Sequence, residues 1–399
     1  MGNIISEKPV FYKCLSALNV ENYRSPFHDH GAKKILTGQS IVLLIEAQLQ
    51  KRDSLENISE NLRANQRLQD FLSLDSVHSS TIYRKIEKLP TDYLKSIYET
   101  IISKINKHHA SKLELPDMGL LGIIDSSEIS LPSRAKWAYC SKDKNGVKLH
   151  TRLRLMDFET TLAEKVIMST AAVSDREVAD LLVDDRKLTY VFDRGYIKYH
   201  LYNKWDQNYL HFVARVNANS KLKVISLQPT DHRQILLDAD VEVTDPETKE
   251  PFILRLIEYV DEKNRKYRVV TNRWDLTASD IAKVYHLRWR IELFFKWIKQ
   301  HLKVVKWFNH KPKAVWNQLY IILIAYALCE WIRLLIGTTK TTWEVLKLLR
   351  SYWLCAWDQF MTSIQRKPSR TSKGRIKKGK PGRPRKYPKK YEPVKIINE

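Results

Sequence analysis

Through the first hundred residues, apolar positions recur at helical spacing: Ile41 to Leu49, Leu55 to Leu62, Leu68 to Leu72, and a stretch from Ser79 or Ser80 to Leu89 that stops before Pro90. Polar links separate these runs. Residues 1–110 therefore predict several short helices, the pattern of a helix-turn-helix type of module. A small bundle of solvated amphipathic helices is the plain alternative.

From residue 117 the period changes. Gly119 to Ile124 is a short apolar run that reads as a buried strand with Asp125 at its exit. Val147 to Met156 and Leu162 to Thr170 predict two more strands. Ser174 and Glu177, in capping-box spacing, start a helix that reaches Leu182. Leu188 to Phe192 is a fourth strand, ending in Asp193. Residues 207–275 are β-rich, with runs at His211 to Val216, Val241 to Thr244, Phe252 to Tyr259 and Lys266 to Thr271. They read as an insertion between the first part of a core, 117–206, and its continuation, 276–360.

A single helix is predicted from about Ser279 to Lys303, with Thr277 and Asp280 at its start. At about 100° per residue, Tyr285, Arg288, Glu292 and Lys299 share an arc of about 60°. Lys296 and Trp289 border that stripe, while Val284, Leu287, Ile291, Phe294, Phe295, Ile298 and Leu302 form an apolar side. Such a stripe is unusual for a merely solvated helix, although an ion-paired face with Glu292 held by Arg288 also produces it. Helical sequence continues to about Phe360. Its most apolar run, Leu319 to Cys329, is too short for a bilayer, which takes about 20 residues, and reads as a buried core helix.

With 399 residues, 43% of them hydrophobic, the chain can build a sizeable core without disulfides or metal. Cys14, Cys140, Cys329 and Cys355 form no CxxC pair, which argues against a zinc ribbon or a disulfide framework. The first thirty residues lack the basic start and apolar centre of a secretion signal, so a cytoplasmic, nucleoid-associated protein is expected. Charge changes the picture more. Lys plus Arg number 68 against 45 Asp plus Glu, a net +23, which predicts a polyanionic partner, nucleic acid before anionic membrane. About half of that excess lies in residues 361–399, with 14 Lys/Arg and two acids. This segment has too few large aliphatics to offset its ordering entropy and reads as a disordered basic tail. Within it, Pro381 to Lys386 resembles an AT-hook, whose Arg383 and Arg385 would enter a narrow minor groove; general attraction to DNA is the favoured reading. Arg84 and Lys85, early in the segment from Ser79, stand where a recognition helix contacts DNA.

Two strand-end aspartates and a helix glutamate add a chemistry. Three separated carboxylates on rigid elements suit two divalent ions about 3.5–4 Å apart, and Mg²⁺ prefers such oxygen ligands. Asp125 in GIIDSSEI, Asp193 in VFDRGY, and Tyr285, Arg288, Glu292 and Lys299 in the spacing Y-x2-R-x3-E-x6-K resemble the DDE triad and YREK signature of insertion-sequence transposases, in the insertion-sequence-four family. The likeness covers roughly residues 117–310.

The resemblance implies an α/β fold: a ribonuclease H-like catalytic core interrupted by a β-rich insertion, with an N-terminal helical domain. It implies two Mg²⁺ ions, replaceable by Mn²⁺, with Asp125 bridging both and Asp193 and Glu292 each completing one. Water would nick the element's end and the freed 3′-hydroxyl would join it to target DNA; some relatives pass through a hairpin. Tyr285, Arg288 and Lys299 would hold terminal phosphates. Trp274 or Trp289 would stack an extruded base, spacing does not choose between them, and a core position stays open for either. The implied partners are double-stranded DNA, as terminal inverted repeats and target, and a second copy in a synaptic homodimer, with no membrane.

Other residues carry weaker readings. Arg194 points to a DNA phosphate or to a neighbouring acid, and Gly195 to a turn after the strand. Lys148 and His150, near Asp125, are candidates for lining a DNA channel. His28-Asp29-His30 lacks further ligands at metal spacing and reads as an exposed loop. The rivals are a catalytically inactive DNA-binding protein, which leaves the three acids unexplained, and a structure-selective nuclease of the same fold.

Overall fold

Among the described residues, six helices precede the first strand: α1 Val10–Ser16, α2 Thr37–Leu49, α3 Leu55–Ala64, α4 Gln66–Leu72, α5 Ser79–Lys88 and α6 Thr91–His109. The structure, a computed structural model, describes residues 8–109, 118–141, 144–157, 160–220, 222–230, 232–302 and 307–366. Arg383, Arg385 and the AT-hook-like segment lie outside the described residues. The four apolar runs of the sequence are α2 to α5. Unread in it were α1 and the longest of the six, α6, although Leu94, Ile97, Tyr98, Ile101, Ile102 and Ile105 recur at helical spacing and are all buried. His78, not a serine, caps α5: its ring accepts the Ser80 backbone N–H.

These helices gather around α11, Pro312–Ile336, which packs against α2, α5, α6 and α12 (Thr342–Tyr352). The apolar run Leu319 to Cys329 is only the middle of this 25-residue helix, which is long and apolar enough to cross a membrane, contrary to the expectation from the run alone; 72% of its most apolar window is buried inside the protein. A helix apolar on every side must be surrounded, and here protein surrounds it. Asn317 is its fully buried polar residue at the join with the N-terminal helices. Its amide donates to the Ile86 and Leu89 carbonyls at 2.8 and 3.0 Å and accepts from Thr91 Oγ1 at 2.7 Å. One side chain thereby satisfies the end of α5 and the start of α6, where Pro90 interrupts the backbone ladder.

The ten strands among the described residues form one sheet, in the order β2-β3-β1-β5-β6-β10-β9-β8-β7, with β4 also paired to β3. The first five are β1 Leu120–Leu131, β2 Tyr139–Ser141, β3 Lys144–Leu155, β4 Thr161–Thr170 and β5 Leu188–Phe192. Then come β6 His211–Arg215, β7 Lys223–Leu227, β8 Ile235–Thr244, β9 Pro251–Val260 and β10 Lys266–Thr271. Among the described residues, only the β1–β5 and β5–β6 pairings are parallel. Helix α7, Asp175–Leu182, precedes β5, and α8, Tyr199–Gln207, crosses over to β6. Ser174 stands at the N-cap of α7, but its side chain makes no capping bond, so the expected capping box is not formed. The β-rich segment is not a separate sheet. Its first strand, β6, pairs with β5, and β10, β9, β8 and β7 extend the same sheet outward. Buried Tyr190, Phe192, Tyr202, Trp205 and Phe212 fill the space beneath the β5–α8–β6 crossover.

The structure thus has a sheet with a parallel centre and a helical body organised by α11. Replacing Asn317 by Leu leaves the Ile86 and Leu89 carbonyls and the Thr91 hydroxyl without their buried partner, an expected loss of about 2–3 kcal/mol. A lower melting temperature in calorimetry is the expected result; an unchanged one would contradict the role given to Asn317.

Candidate active site

The parallel centre aligns three charges. Ile123 of β1 is in register with Val191 of β5, and Val191 with Val213 of β6. Two residues further along each strand stand Asp125, Asp193 and Arg215. Register neighbours lie on one face with strands about 4.8 Å apart, so these residues form a row. Asp125 is not at the exit of its strand, as the sequence suggested. β1 runs on to Leu131 against β3, and Asp125 pairs with Thr151. It marks where β1 outruns β5, which is an exit on the β5 side alone.

Each carboxylate is held locally. Asp125 Oδ1 accepts the Ser126 backbone N–H at 2.8 Å, and Asp193 Oδ1 accepts that of Arg194 at 2.8 Å. Tyr285 donates its hydroxyl to Asp193 at 3.2 Å, and Arg215 approaches the same carboxylate at 3.9 Å while lying over the Tyr267 ring.

The helix predicted from Ser279 to Lys303 is two helices, α9 Ala278–His286 and α10 Trp289–His301. Thr277 caps α9 through Asp280, as expected. Between them, Arg288 N–H bonds to the Tyr285 carbonyl and Ile291 N–H to that of Arg288, tighter steps than an α-helix makes. Leu287 and Arg288 keep near-helical backbone angles, so Tyr285, Arg288 and Glu292 still face one way. Arg288 is the hub: its guanidinium bonds Glu292 at 2.5 Å and lies 3.6 Å from Asp125. The ion pair of the plain helix-face reading is present, and it reaches the sheet.

Burial governs the electrostatics. It pushes Asp125 up to about 6; Asp193 and Asp175 push the same way, while the Ser126 N–H and Arg288 pull down. Burial and the charge of Asp193 raise Tyr285. For Arg288, burial opposes the charge, but its bond to Glu292 and the neighbouring anionic groups more than offset that. Burial lowers Lys299, with Glu128 acting against it.

The remaining sequence candidates divide. Lys299, Lys296 and Arg194 are exposed. Trp289 and Trp274 are both surface residues, 56% and 47% exposed, so neither is core; Trp274 donates its indole N–H to Asp240. Arg84 is exposed, but Lys85 is not available to DNA. It is buried and paired with Asp29 at 2.6 Å, because α5 turns that side toward the loop holding His28 and Asp29. The loop is exposed at His30 and its neighbours, as the sequence suggested, while the Asp29 side chain is a buried anchor of it. Lys148 and His150 face Asp175, and His150 is fully buried. The sequence reading missed Arg215, Ser126 and Asp175. The strand-exit argument applied to a third parallel strand would have found Arg215; nothing in the spacing marked the other two.

Residues 117–328, more than half of the chain, match the family described as "Transposase DDE domain". The chain belongs to the DDE transposase family. A probable transposase for insertion sequence element IS5377 of Geobacillus stearothermophilus is 30% identical over 263 residues, covering 65% of this chain and 68% of the relative. The putative transposase y4zB of Sinorhizobium fredii is 28% identical over 256 residues, covering 62% and 70%. A putative transposase for insertion sequence element IS4SA of Synechocystis is 22% identical over 246 residues, covering 59% and 67%. The protein is a metal-dependent DDE transposase of the insertion-sequence-four type.

As donors, Asp125, Asp193 and Glu292 would suit a hard divalent cation, since they offer carboxylate oxygens with no thiolate or imidazole among them. Among the described residues no three His, Cys, Asp or Glu side chains stand close enough to hold a metal as they are placed. The positive charge between Asp125 and Glu292 is the guanidinium of Arg288.

A carboxyl whose pKa is raised in the fold stabilises it below the unfolded value, and that stability is lost as pH climbs through the folded value. For Asp125 the window is about pH 4 to 6. Asp125→Asn should therefore stabilise the metal-free DDE transposase at pH 7.5 by up to about 3 kcal/mol. The gain should shrink toward pH 5, read as melting temperature in excess chelator. Equal melting of the two proteins at pH 7.5 would refute the raised value.

Proposed function

We propose that Asp125, Asp193 and Glu292 are the catalytic carboxylates of this transposase and hold two Mg²⁺, for which Mn²⁺ can substitute. The enzyme would cleave at terminal inverted repeats and join the 3′-hydroxyl ends to target DNA. The observation that carries the reading is the convergence on α9–α10: Arg288 links Asp125 to Glu292, and Tyr285 reaches Asp193 from 92 residues away. The antiparallel meander β1, β3, β4 continued by parallel β5 and β6 supports a ribonuclease H-like core. In the proposed division, residues 1–110 bind DNA, 117–206 and 276–360 make the core, 207–275 are an insertion that prolongs its sheet, and 361–399 are a basic tail.

Bound divalent ions would lower the pKa of a water or 3′-hydroxyl and stabilise the leaving oxygen of an in-line displacement. The chain's own residues do the positioning. Asp125 and Asp193 are fixed by strand register and by backbone N–H groups, and Glu292 by its place one turn into α10. Arg215, Arg288 and Lys299 offer cations to backbone phosphates, which sets the strand's register without reading sequence. Lys296, Arg194 and Arg84 add exposed charge along the DNA path, and Arg383 and Arg385 would add more from the tail. Trp289 is better suited than Trp274 to stack an extruded base, because the Trp274 indole is already bonded to Asp240. Two element ends require two copies, so a homodimeric synaptic complex in the cytoplasm, at the nucleoid, completes the proposal.

The test uses the full chain and a plasmid carrying its element's two ends, with Mg²⁺. Asp125→Asn and Glu292→Gln should each abolish end cleavage while duplex binding stays within about twofold, since neither change removes a cation. Cleavage by Asp125→Asn at the wild-type rate would exclude this site. Supplied with a pre-cut end bearing a free 3′-hydroxyl, the wild type should yield joined product; persistent cutting without joining would mark a nuclease instead.

A further inference from the structure

Beside the row of charges sits a fourth carboxylate that the proposed mechanism does not use. Asp175, the first residue of α7, accepts a hydrogen bond from Ser126 Oγ at 2.7 Å. The backbone N–H of that same Ser126 donates to Asp125 Oδ1. Asp175 also touches the segment carrying the second aspartate: a side chain added at Gly195 would meet its Oδ2 at 3.6 Å, so the carboxylate lies directly against the turn after Asp193. Lys148 from β3 approaches Asp175 at 3.4 Å and donates to the Val173 carbonyl at 3.0 Å, closing the approach to α7. A surface ion pair would make its shortest contact with the lysine, whereas here it is with the serine next to the active carboxylate.

We propose that Asp175 is a positioning residue that holds Asp125 at its working place through Ser126. The inference rests on the reading of Asp125 as a metal ligand. Mechanically, β1 loses its β5 neighbour just after Ile123, so the stretch bearing Asp125 and Ser126 is supported by β3 on one side only. Asp175 supplies the missing support, bridging the unpaired edge of β1 to the turn after β5. Groups that hydrogen-bond behind metal-bearing residues commonly set ligand orientation, and their removal costs about 10–100-fold in metal affinity or rate.

The test compares full-length wild type, Asp175→Ala, Asp175→Asn, Ser126→Ala and the Asp175→Ala/Ser126→Ala double variant. Three readouts are taken: Mn²⁺ binding by the loss of the free-ion spin-resonance signal, end cleavage under single turnover, and duplex affinity. Asp175→Ala and Ser126→Ala should each weaken Mn²⁺ binding and slow cleavage by about 10–100-fold. The double variant should be no worse than the weaker single, because both act through one bond. Asp175→Asn, which keeps an acceptor oxygen, should recover most of the rate. Duplex affinity should not change. Wild-type Mn²⁺ binding and cleavage in Ser126→Ala, or effects that multiply in the double variant, would overturn the proposal even if Asp175→Ala failed to fold. Retained cleavage by Asp125→Asn in parallel would instead remove the reading beneath it.

Discussion

Two acids of like charge stand at the same level on neighbouring parallel strands, and the arrangement holds only because positive and hydrogen-bonding groups are brought to them from elsewhere in the chain. Asp125 and Asp193 are placed by the β1–β5 register, one of them raised by burial and by the other's charge. Arg288 and Tyr285 from the α9–α10 join, and Arg215 from β6, meet that charge. A helix dipole or solvent could soften the repulsion, but neither would also bring Glu292 within a guanidinium's width of Asp125.

That requirement explains the architecture around the site. β6 continues the parallel centre and supplies Arg215, and the strands beyond it give α9 a surface: α9 packs on β6, β8 and β9. The β-rich segment is thus the platform on which Tyr285 and Arg288 are carried back to the aspartates. Tyr267, on β10, contacts both of the groups that reach Asp193: Arg215 lies over its ring, and the Tyr285 ring is 5.9 Å away. The following helix α10 packs on β1, and α11 anchors the helical body.

Much of this was legible because local rules and tertiary demands agree. Apolar runs that stop at Asp125 and Asp193, and an apolar stripe beside charged positions, are what a buried sheet and a docked helix require. The missed features depend on pairing partners. Whether Asp125 is an exit or a mid-strand residue depends on where β5 ends relative to β3, which one strand's sequence does not encode. The break between α9 and α10 leaves the 3.6-residue period almost undisturbed, so periodicity passes over it. Lys85 looked like a DNA contact by position, yet its partner Asp29 is 56 residues away in the chain. Ser126 and Asp175 carry no spacing signal, because they meet only when α7 folds onto the sheet.

The net charge of +23 gives the protein an attraction for DNA that is independent of sequence and steep in salt, while the carboxylate row adds a local negative centre to a basic surface. That contrast is what metal-assisted chemistry on a polyanion needs: cations to hold phosphates and a small anionic pocket to collect divalent ions. The most direct measurement is anomalous diffraction from crystals of the full chain with Mn²⁺ and a duplex of its element's end. Manganese peaks ligated by Asp125 together with Asp193 and Glu292, and the Arg288 guanidinium moved off the carboxylates, are expected. Manganese bound elsewhere, or Arg288 still clasping Asp125 and Glu292 with DNA in place, would contradict a shared metal site.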